Sequence, residues 1–270
     1  MSKRPKLIAT DLDGTIVSHD GAISQRTIAA FTHAKELGVH VFFVTGRPPR
    51  WMAEIREAFG FGAAICCNGA MLYDLMNDVV LEEWMISVDD QLEIVRRMRI
   101  AMPEMSFAVE SNDHYRREVA YLPKWDVGLD DEGIGKIEEI ITRPALKVLA
   151  RCSNLEYTSD EMVEVARREL HDLVTVTHSA ANDSLIEISA LNISKGTTLS
   201  MMAERLGLTA DDCVSFGDNP NDFSMLEWAS RSYAMSGGHP EAPSFAKGIA
   251  EPCDADGVAK IIEQLLELPA

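Results

Sequence analysis

At 270 residues and 46% hydrophobic, the chain has the apolar material for a real core and a length that suits one large domain or two unequal ones. Its 43 acidic against 25 basic residues, a formal charge of -18, exclude a nucleic-acid backbone or an anionic membrane surface as a partner, because both are held by Lys and Arg clusters. A small anion at one site stays open, since exposed charges further apart than about 8 Å are largely screened.

The chain begins with basic residues, but the apolar run of KLIAT meets Asp11 too soon to form a signal-peptide core. Nowhere do ~18 uninterrupted apolar residues occur, so cytoplasmic residence is the expectation. KLIATD predicts a short strand. From Ser24, a helix cap, apolar residues recur at helical spacing (Ile28, Phe31, Leu37) until Gly38 stops the helix. VHVFFVT predicts a second strand ending at Thr45. GRPPRWMAEIREAFG predicts a helix with prolines where a first turn tolerates them and Gly60 as its close. AAICCN predicts a third strand, ended by Asn68-Gly69.

Residues 84 to 188 have a different texture: strand candidates (MSFAVES, ALKVLAR, LVTVTHS, SLIEIS) alternate with charged helices (DDQLEIVRRMR, SDEMVEVARRELHD). The first pattern then returns, with a helix in SKGTTLSMMAERLGL, a strand in DCVSFGD ending at Asp218, a helix in NDFSMLEWA, a strand in RSYAMS and a last helix in GVAKIIEQLLEL. The expectation is an α/β fold: a doubly wound parallel-sheet core over 1–84 and 189–270, with an α/β cap domain inserted over 85–188. The five cysteines, odd in number and without C-x-x-C spacing, suggest neither a disulfide framework nor a zinc site.

In an open parallel sheet, ligands gather at the carboxyl ends of the strands, where helix amino termini also point. The strand ends carry Asp11 and Asp13, then Thr45-Gly46-Arg47, then Asn68-Gly69, then Gly217-Asp218 with Asn221 and Asp222. Asp11 and Asp13 share a side if the backbone is extended, and two bare carboxylates at ~4 Å repel by about 4 kcal/mol at an effective dielectric of 20. A cation or a shared proton is therefore expected between them. With Asp218 and Asp222 adding hard oxygen ligands, Mg2+ suits the set better than zinc. An EF-hand is excluded because the fifth and sixth positions counted from Asp11 are Thr15 and Ile16. By itself, Asp-x-Asp-Gly is more often a solvated turn, and a lysine opening a helix is usually solvated too. In combination, Lys195 at the start of SKGTTLSMMAERL and the Thr45 hydroxyl beside Gly46 offer the charge and hydrogen bonds that a phosphoryl group needs.

DLDGT (11–15), VTGRP (44–48), CNGAML (67–72), SKGTTL (194–199) and GDNPNDFSML (217–226) occur in the order of the haloacid dehalogenase superfamily. The chain most resembles its Cof-type phosphatases, which carry a large α/β cap (type IIB) between the second and third motifs. That resemblance implies a Mg2+-dependent phosphohydrolase acting on a small phosphorylated metabolite, a sugar phosphate or a phosphorylated cofactor. It makes Asp11 the nucleophile that becomes an aspartyl-phosphate, and Asp13 the general acid and base. It places the metal on Asp11, the Asp13 backbone carbonyl and Asp218, with Asp222 in support. Thr45 and Lys195 would hold the phosphoryl oxygens, while Gly46, Arg47, Asn68, Gly69 and Asn221 would line the phosphate or leaving-group pocket. Arg47 could instead pair with an acidic neighbour. Substrate choice would reside in the cap, in SNDHYRREVAY and THSAANDSLIEIS, with Glu187 the best placed. A sugar phosphomutase and a non-catalytic metabolite or Mg2+ sensor are the alternatives. The segment AMSGGHPEAP departs from the shorter AMGNA-like stretch of relatives. Oligomeric state is not readable.

Overall fold

A computed structural model describes residues 3–124, 127–129, 133–152 and 156–269. In chain order the first elements are β1 (Leu7–Thr10), α1 (Gln25–Glu36), β2 (His40–Val44), α2 (Ala53–Phe59), β3 (Ala63–Cys66), β4 (Met71–Asp74) and β5 (Val79–Glu83). There follow α3 (Val88–Ala101), β6 (Met105–Glu110), β7 (Tyr115–Arg117), α4 (Ile137–Ile140), β8 (Lys147–Cys152), α5 (Ser159–Leu170), β9 (Val174–Thr177) and β10 (Leu185–Ala190). The chain closes with α6 (Lys195–Arg205), β11 (Cys213–Gly217), α7 (Phe223–Trp228), β12 (Arg231–Met235), α8 (Ala242–Phe245), β13 (Gly248–Ala250) and α9 (Gly257–Leu266). Two compact units result, one of residues 1–82 and 194–270, the other of residues 83–193. No helix among the described residues is long and apolar enough to cross a membrane.

The first unit holds an eight-stranded sheet in the order β13-β12-β11-β1-β2-β3-β4-β5. Pairing from β13 through β3 is parallel, and β4 turns back antiparallel on β3. β1 is central and buried throughout (Leu7, Ile8, Ala9, Thr10), as its unbroken apolar run demands of a parallel strand covered on both faces. Phe31 of α1, Phe43 of β2 and Phe59 of α2 meet with ring centroids 4.8 to 6.1 Å apart, tying these helices to the sheet. The caps fall where the sequence places them. The Ser24 hydroxyl accepts from the Thr27 N–H, and Gly60 closes α2 at φ 65°. The helix expected from Gly46 is shorter, beginning only at Ala53 after a single 3-10 turn over Pro49–Trp51.

The second unit is an antiparallel sheet in the order β7-β6-β8-β10-β9. One face (Phe107, Val109, Val148, Ala150, Ile186, Ile188) packs with Ile94, Val95 and Met98 of α3 and Met162, Val163 and Ala166 of α5 in a single apolar core. The alternate residues, including Glu110, Lys147, Arg151 and Glu187, face the other way and are also buried. Strands β4, β5, β7 and β13 were not expected from the sequence, and β4 makes the first sheet mixed rather than wholly parallel.

Candidate active site

β1 delivers Asp11 to the carboxyl edge of the sheet, where its backbone N–H donates to the Phe216 carbonyl of β11 at 2.9 Å. Just beyond, the chain folds tightly. The Leu12 carbonyl accepts from the N–H groups of Thr15, Ile16 and Val17 at 2.8 to 3.1 Å, and Gly14 takes φ +80°. A Cβ at Gly14 would stand 2.5 Å from Asp218 Oδ2, so only glycine permits both the conformation and the approach.

Lys195 opens α6 behind the Ser194 cap and is completely buried. Its Nζ donates to Asp11 Oδ1 and to Asp222 Oδ1, each at 2.6 Å. Asp222 is also enclosed, and its Oδ2 accepts from the backbone N–H groups of Asp218 and Asn219 at 3.0 Å each. Asp218 accepts from Asn219 Nδ2 at 2.8 Å through Oδ2, while its buried Oδ1 has no hydrogen-bond partner among the described residues. Carboxylate oxygens of Asp11, Asp218 and Asp222 lie within 4.8 Å of one another. Close packing holds the cluster: Gly238 abuts the Asp218 backbone, and the His239 N–H donates to the Asp218 carbonyl at 2.8 Å.

Three carboxylates around one ammonium leave two negative charges uncompensated in a buried place. Burial pushes the Asp11 carboxyl up to about 7, helped by Asp222 and opposed by Lys195. Asp218 is pushed up to about 9, again by burial first and then by Asp11 and Asp222. For Lys195, burial works against the charge, but Asp11 and Asp222 outweigh it and hold the ammonium above the ordinary lysine range. An orphaned carboxylate oxygen, an all-oxygen donor set and surplus negative charge are what a hard divalent cation such as Mg2+ fits.

Asp13 is close enough for its charge to help push the Asp11 carboxyl up, but the two do not extend side by side from one strand. β1 ends at Thr10, so the extended geometry is gone before Asp13, whose carboxylate is gripped by Arg47 through Nε at 2.8 Å and Nη2 at 2.5 Å. The cation beside Asp13 is thus a guanidinium. Arg47 also donates to Glu54 and to the Trp51 carbonyl at 3.3 Å, so it pairs with acidic neighbours, the second of its two sequence readings.

Thr45 is buried, and its Oγ1 accepts the Arg47 N–H at 3.0 Å, which leaves the hydroxyl proton available to a ligand. Asn68 adopts φ 57° in the turn after β3, and its Oδ1 accepts from Asn221 Nδ2 at 3.1 Å. A Cβ at Gly46 would reach 3.0 Å from that same Oδ1. Gly69, at φ +106°, lies against the Ser194 carbonyl where a Cβ would be 2.3 Å away, and its own carbonyl accepts from Thr198 Oγ1 at 2.8 Å. Asp11, Asp218, Asp222 and Lys195 therefore converge, with Thr45, Asn68 and Asn221 on neighbouring strand ends of the same unit. Glu187 belongs to the second unit, where its carboxylate accepts from Lys147 at 2.6 Å and from Ser179 at 2.8 Å. Sequence reading missed Asn219 and Glu54. Asn219 lies inside GDNPND and could have been found, whereas nothing in the spacing singles out Glu54.

A family model described as haloacid dehalogenase-like hydrolase matches residues 8–262, nearly the whole chain. The chain belongs to this family. It is a phosphatase, a hydrolase of phosphoric monoesters, with the fold of the Cof-type subclass IIB. The chain is 26% identical to the pyridoxal phosphate phosphatase YbhA of Escherichia coli (strain K12), with 95% of this chain and 97% of the relative covered. It is 24% identical to the 5-amino-6-(5-phospho-D-ribitylamino)uracil phosphatase YitU of Bacillus subtilis (strain 168), covering 99% of this chain and 100% of the relative. The solved structure of the subclass IIB sugar phosphatase BT4131 superposes with a TM-score of 0.78 at 19% identity, over 96% of this chain and 98% of the other. The phosphatase thus shares its fold with that protein along almost its full length.

Proposed function

We propose that this phosphatase hydrolyses a small phosphorylated metabolite with Mg2+ through an aspartyl-phosphate on Asp11. The observation that carries the reading is Lys195, buried and bridging Asp11 and Asp222, beside the partnerless Asp218 Oδ1. A lysine placed so neutralises the nucleophile's surroundings while keeping a third N–H for a phosphoryl oxygen. The Thr45 hydroxyl is the second donor. Asp11, the Asp13 carbonyl and Asp218 would hold the metal, with Asp222 anchoring Asp218 from behind. Bound there, Mg2+ would supply charge to offset the phosphoryl oxygens and the clustered carboxylates.

In the first step the Asp11 carboxylate forms a bond to phosphorus as the ester P–O bond breaks, and protonated Asp13 gives its proton to the leaving oxygen. In the second, Asp13 takes a proton from water as that water attacks phosphorus. The bond to Asp11 breaks, releasing orthophosphate. Gly46 leaves room for backbone N–H groups at the phosphate, and Asn68, Gly69 and Asn221 border the leaving group. Arg47 acts on Asp13. Relatives that act on pyridoxal phosphate, on a ribitylaminouracil phosphate and on sugar phosphates support a compact, polar leaving group.

The test is phosphate release from a panel of phosphorylated metabolites with Mg2+ present. Hydrolysis of at least one is expected, EDTA should stop it reversibly, and Asp11→Asn should lower kcat by about 10^4 or more while leaving the fold intact. Wild-type turnover by Asp11→Asn would overturn the mechanism. Conversion of hexose 1-phosphate to hexose 6-phosphate without phosphate release would make the enzyme a mutase.

A further inference from the structure

At the opposite end of β1 from Asp11 lies a cavity of about 520 Å³, bordered by the segment Lys3–Lys6, the turn at Leu37–Val39, Asp211, Asp212, Ser230 and Arg231. It is a basic place on an acidic protein. Four cationic side chains (Lys3, Arg4, Lys6 and Arg231) meet two carboxylates there, whereas the whole chain carries -18. The two carboxylates are already engaged: Asp212 pairs with Lys6 at 2.9 Å, and Asp211 accepts from Ser230 Oγ at 2.6 Å.

The other three cations have no carboxylate partner among the described residues. Arg231 donates only to backbone carbonyls, to Lys3 at 2.6 Å and to Asp211 at 3.4 Å. Those bonds fix the guanidinium without cancelling its charge. Burial holds it below the usual arginine range, with the neighbouring acids only partly restoring it. Arg4 is anchored through Nε alone, to the Leu266 carbonyl at 3.1 Å, so the outer edge of its fork is open. Lys3 makes no side-chain bond to the described residues, leaving its ammonium available to a ligand.

We propose that this cavity binds a small aliphatic molecule bearing a phosphoryl group, at a site separate from the hydrolytic one. Two guanidinium charges not cancelled by a carboxylate and an ammonium match a tetrahedral dianion better than a single carboxylate. The volume lies in the range of small-molecule sites, roughly 300 to 1,000 Å³. Pro5, Leu37 and Val39 supply an aliphatic wall, and the lining contains no aromatic side chain, so a stacked base is not the recognised body. The five residue steps from Lys6 to Asp11 along an extended strand put the two sites roughly 17 Å apart. The inference does not depend on how Asp11 reacts.

Propylphosphonate is the probe, because its C–P bond resists a phosphate-ester hydrolase. It is titrated by calorimetry into the full chain with EDTA present, where the acidic cluster repels anions. Hydrogen exchange then locates the bound molecule. Protection is expected in peptides covering residues 3–7, 37–39 and 230–232, with butyrate binding about tenfold more weakly than the dianion. Arg231→Met should raise Kd about tenfold or more. Since Arg231 also ties backbone segments together, Lys3→Gln, at an exposed residue, is the second variant, expected to raise Kd about threefold or more with an unchanged Tm. Absence of binding at 20 mM probe (about the weakest Kd worth assigning), protection confined to peptides containing Asp11 and Arg47, or wild-type affinity in both variants would overturn the proposal.

Discussion

Asp13 and Arg47 illustrate how one side chain can serve chemistry it does not touch. The Arg47 fork holds both oxygens of Asp13 and is itself braced by Glu54, which in the proposed mechanism would fix where a proton is given or taken. Removing the fork should matter in proportion to the leaving group's need for a proton. Arg47→Ala is expected to lower kcat/KM, which reports the first step alone, by about 10- to 100-fold on an alkyl phosphate. On p-nitrophenyl phosphate, whose phenolate departs unaided, kcat/KM should fall less than about threefold. Equal losses on both substrates would assign Arg47 to phosphate binding instead. The residue types at the strand ends were legible because a parallel sheet concentrates ligands there. The direction of Asp13 was not, since it depends on a turn that begins after Thr10 and on a guanidinium from another strand end.

At the scale of elements, the amino end of α6 is held by glycine. Gly196 follows Lys195 directly, donates its N–H to Ser224 Oγ at 3.0 Å, and would place a Cβ 2.3 Å from the Ser224 carbonyl of α7. Gly196→Ala must therefore lift α6 from α7 and carry Lys195 with it. A loss of about 1–3 kcal/mol in urea unfolding is expected, together with a fall in kcat larger than stability alone explains. Retained kcat at reduced stability would show that Lys195 tolerates the shift. The helices other than the four-residue α4 and α8, and the five core strands in parallel pairing with β1, β2 and β11, were readable because their apolar runs are local and long enough. By contrast, β7 and β13 span three residues each, too few for any period. The alternation in β5 has no buried face to announce it, its residues ranging from half-buried to exposed.

For the molecule as a whole, the buried acidic cluster ties stability to pH. Asp11 and Asp218 have folded values near 7 and near 9, against 3.8 for a free aspartate. Between those limits the folded chain binds more protons than the unfolded one, so stability falls as pH rises from about 4 towards 9. Lys195 is charged in both states across that window and does not alter the sign. With EDTA present, Tm should be lower at pH 8.5 than at pH 5.5. Mg2+ should raise Tm more at pH 8.5, where it displaces fewer protons than at pH 5.5. A flat metal-free profile between those two pH values would contradict the clustering.

The ion pair between Asp11 and Lys195 joins positions 184 apart in sequence. As the chain leaves the ribosome, Asp11 emerges before the whole second unit and Lys195 only after it. The pair can therefore close only once the second unit has been made and α6 reaches the sheet edge.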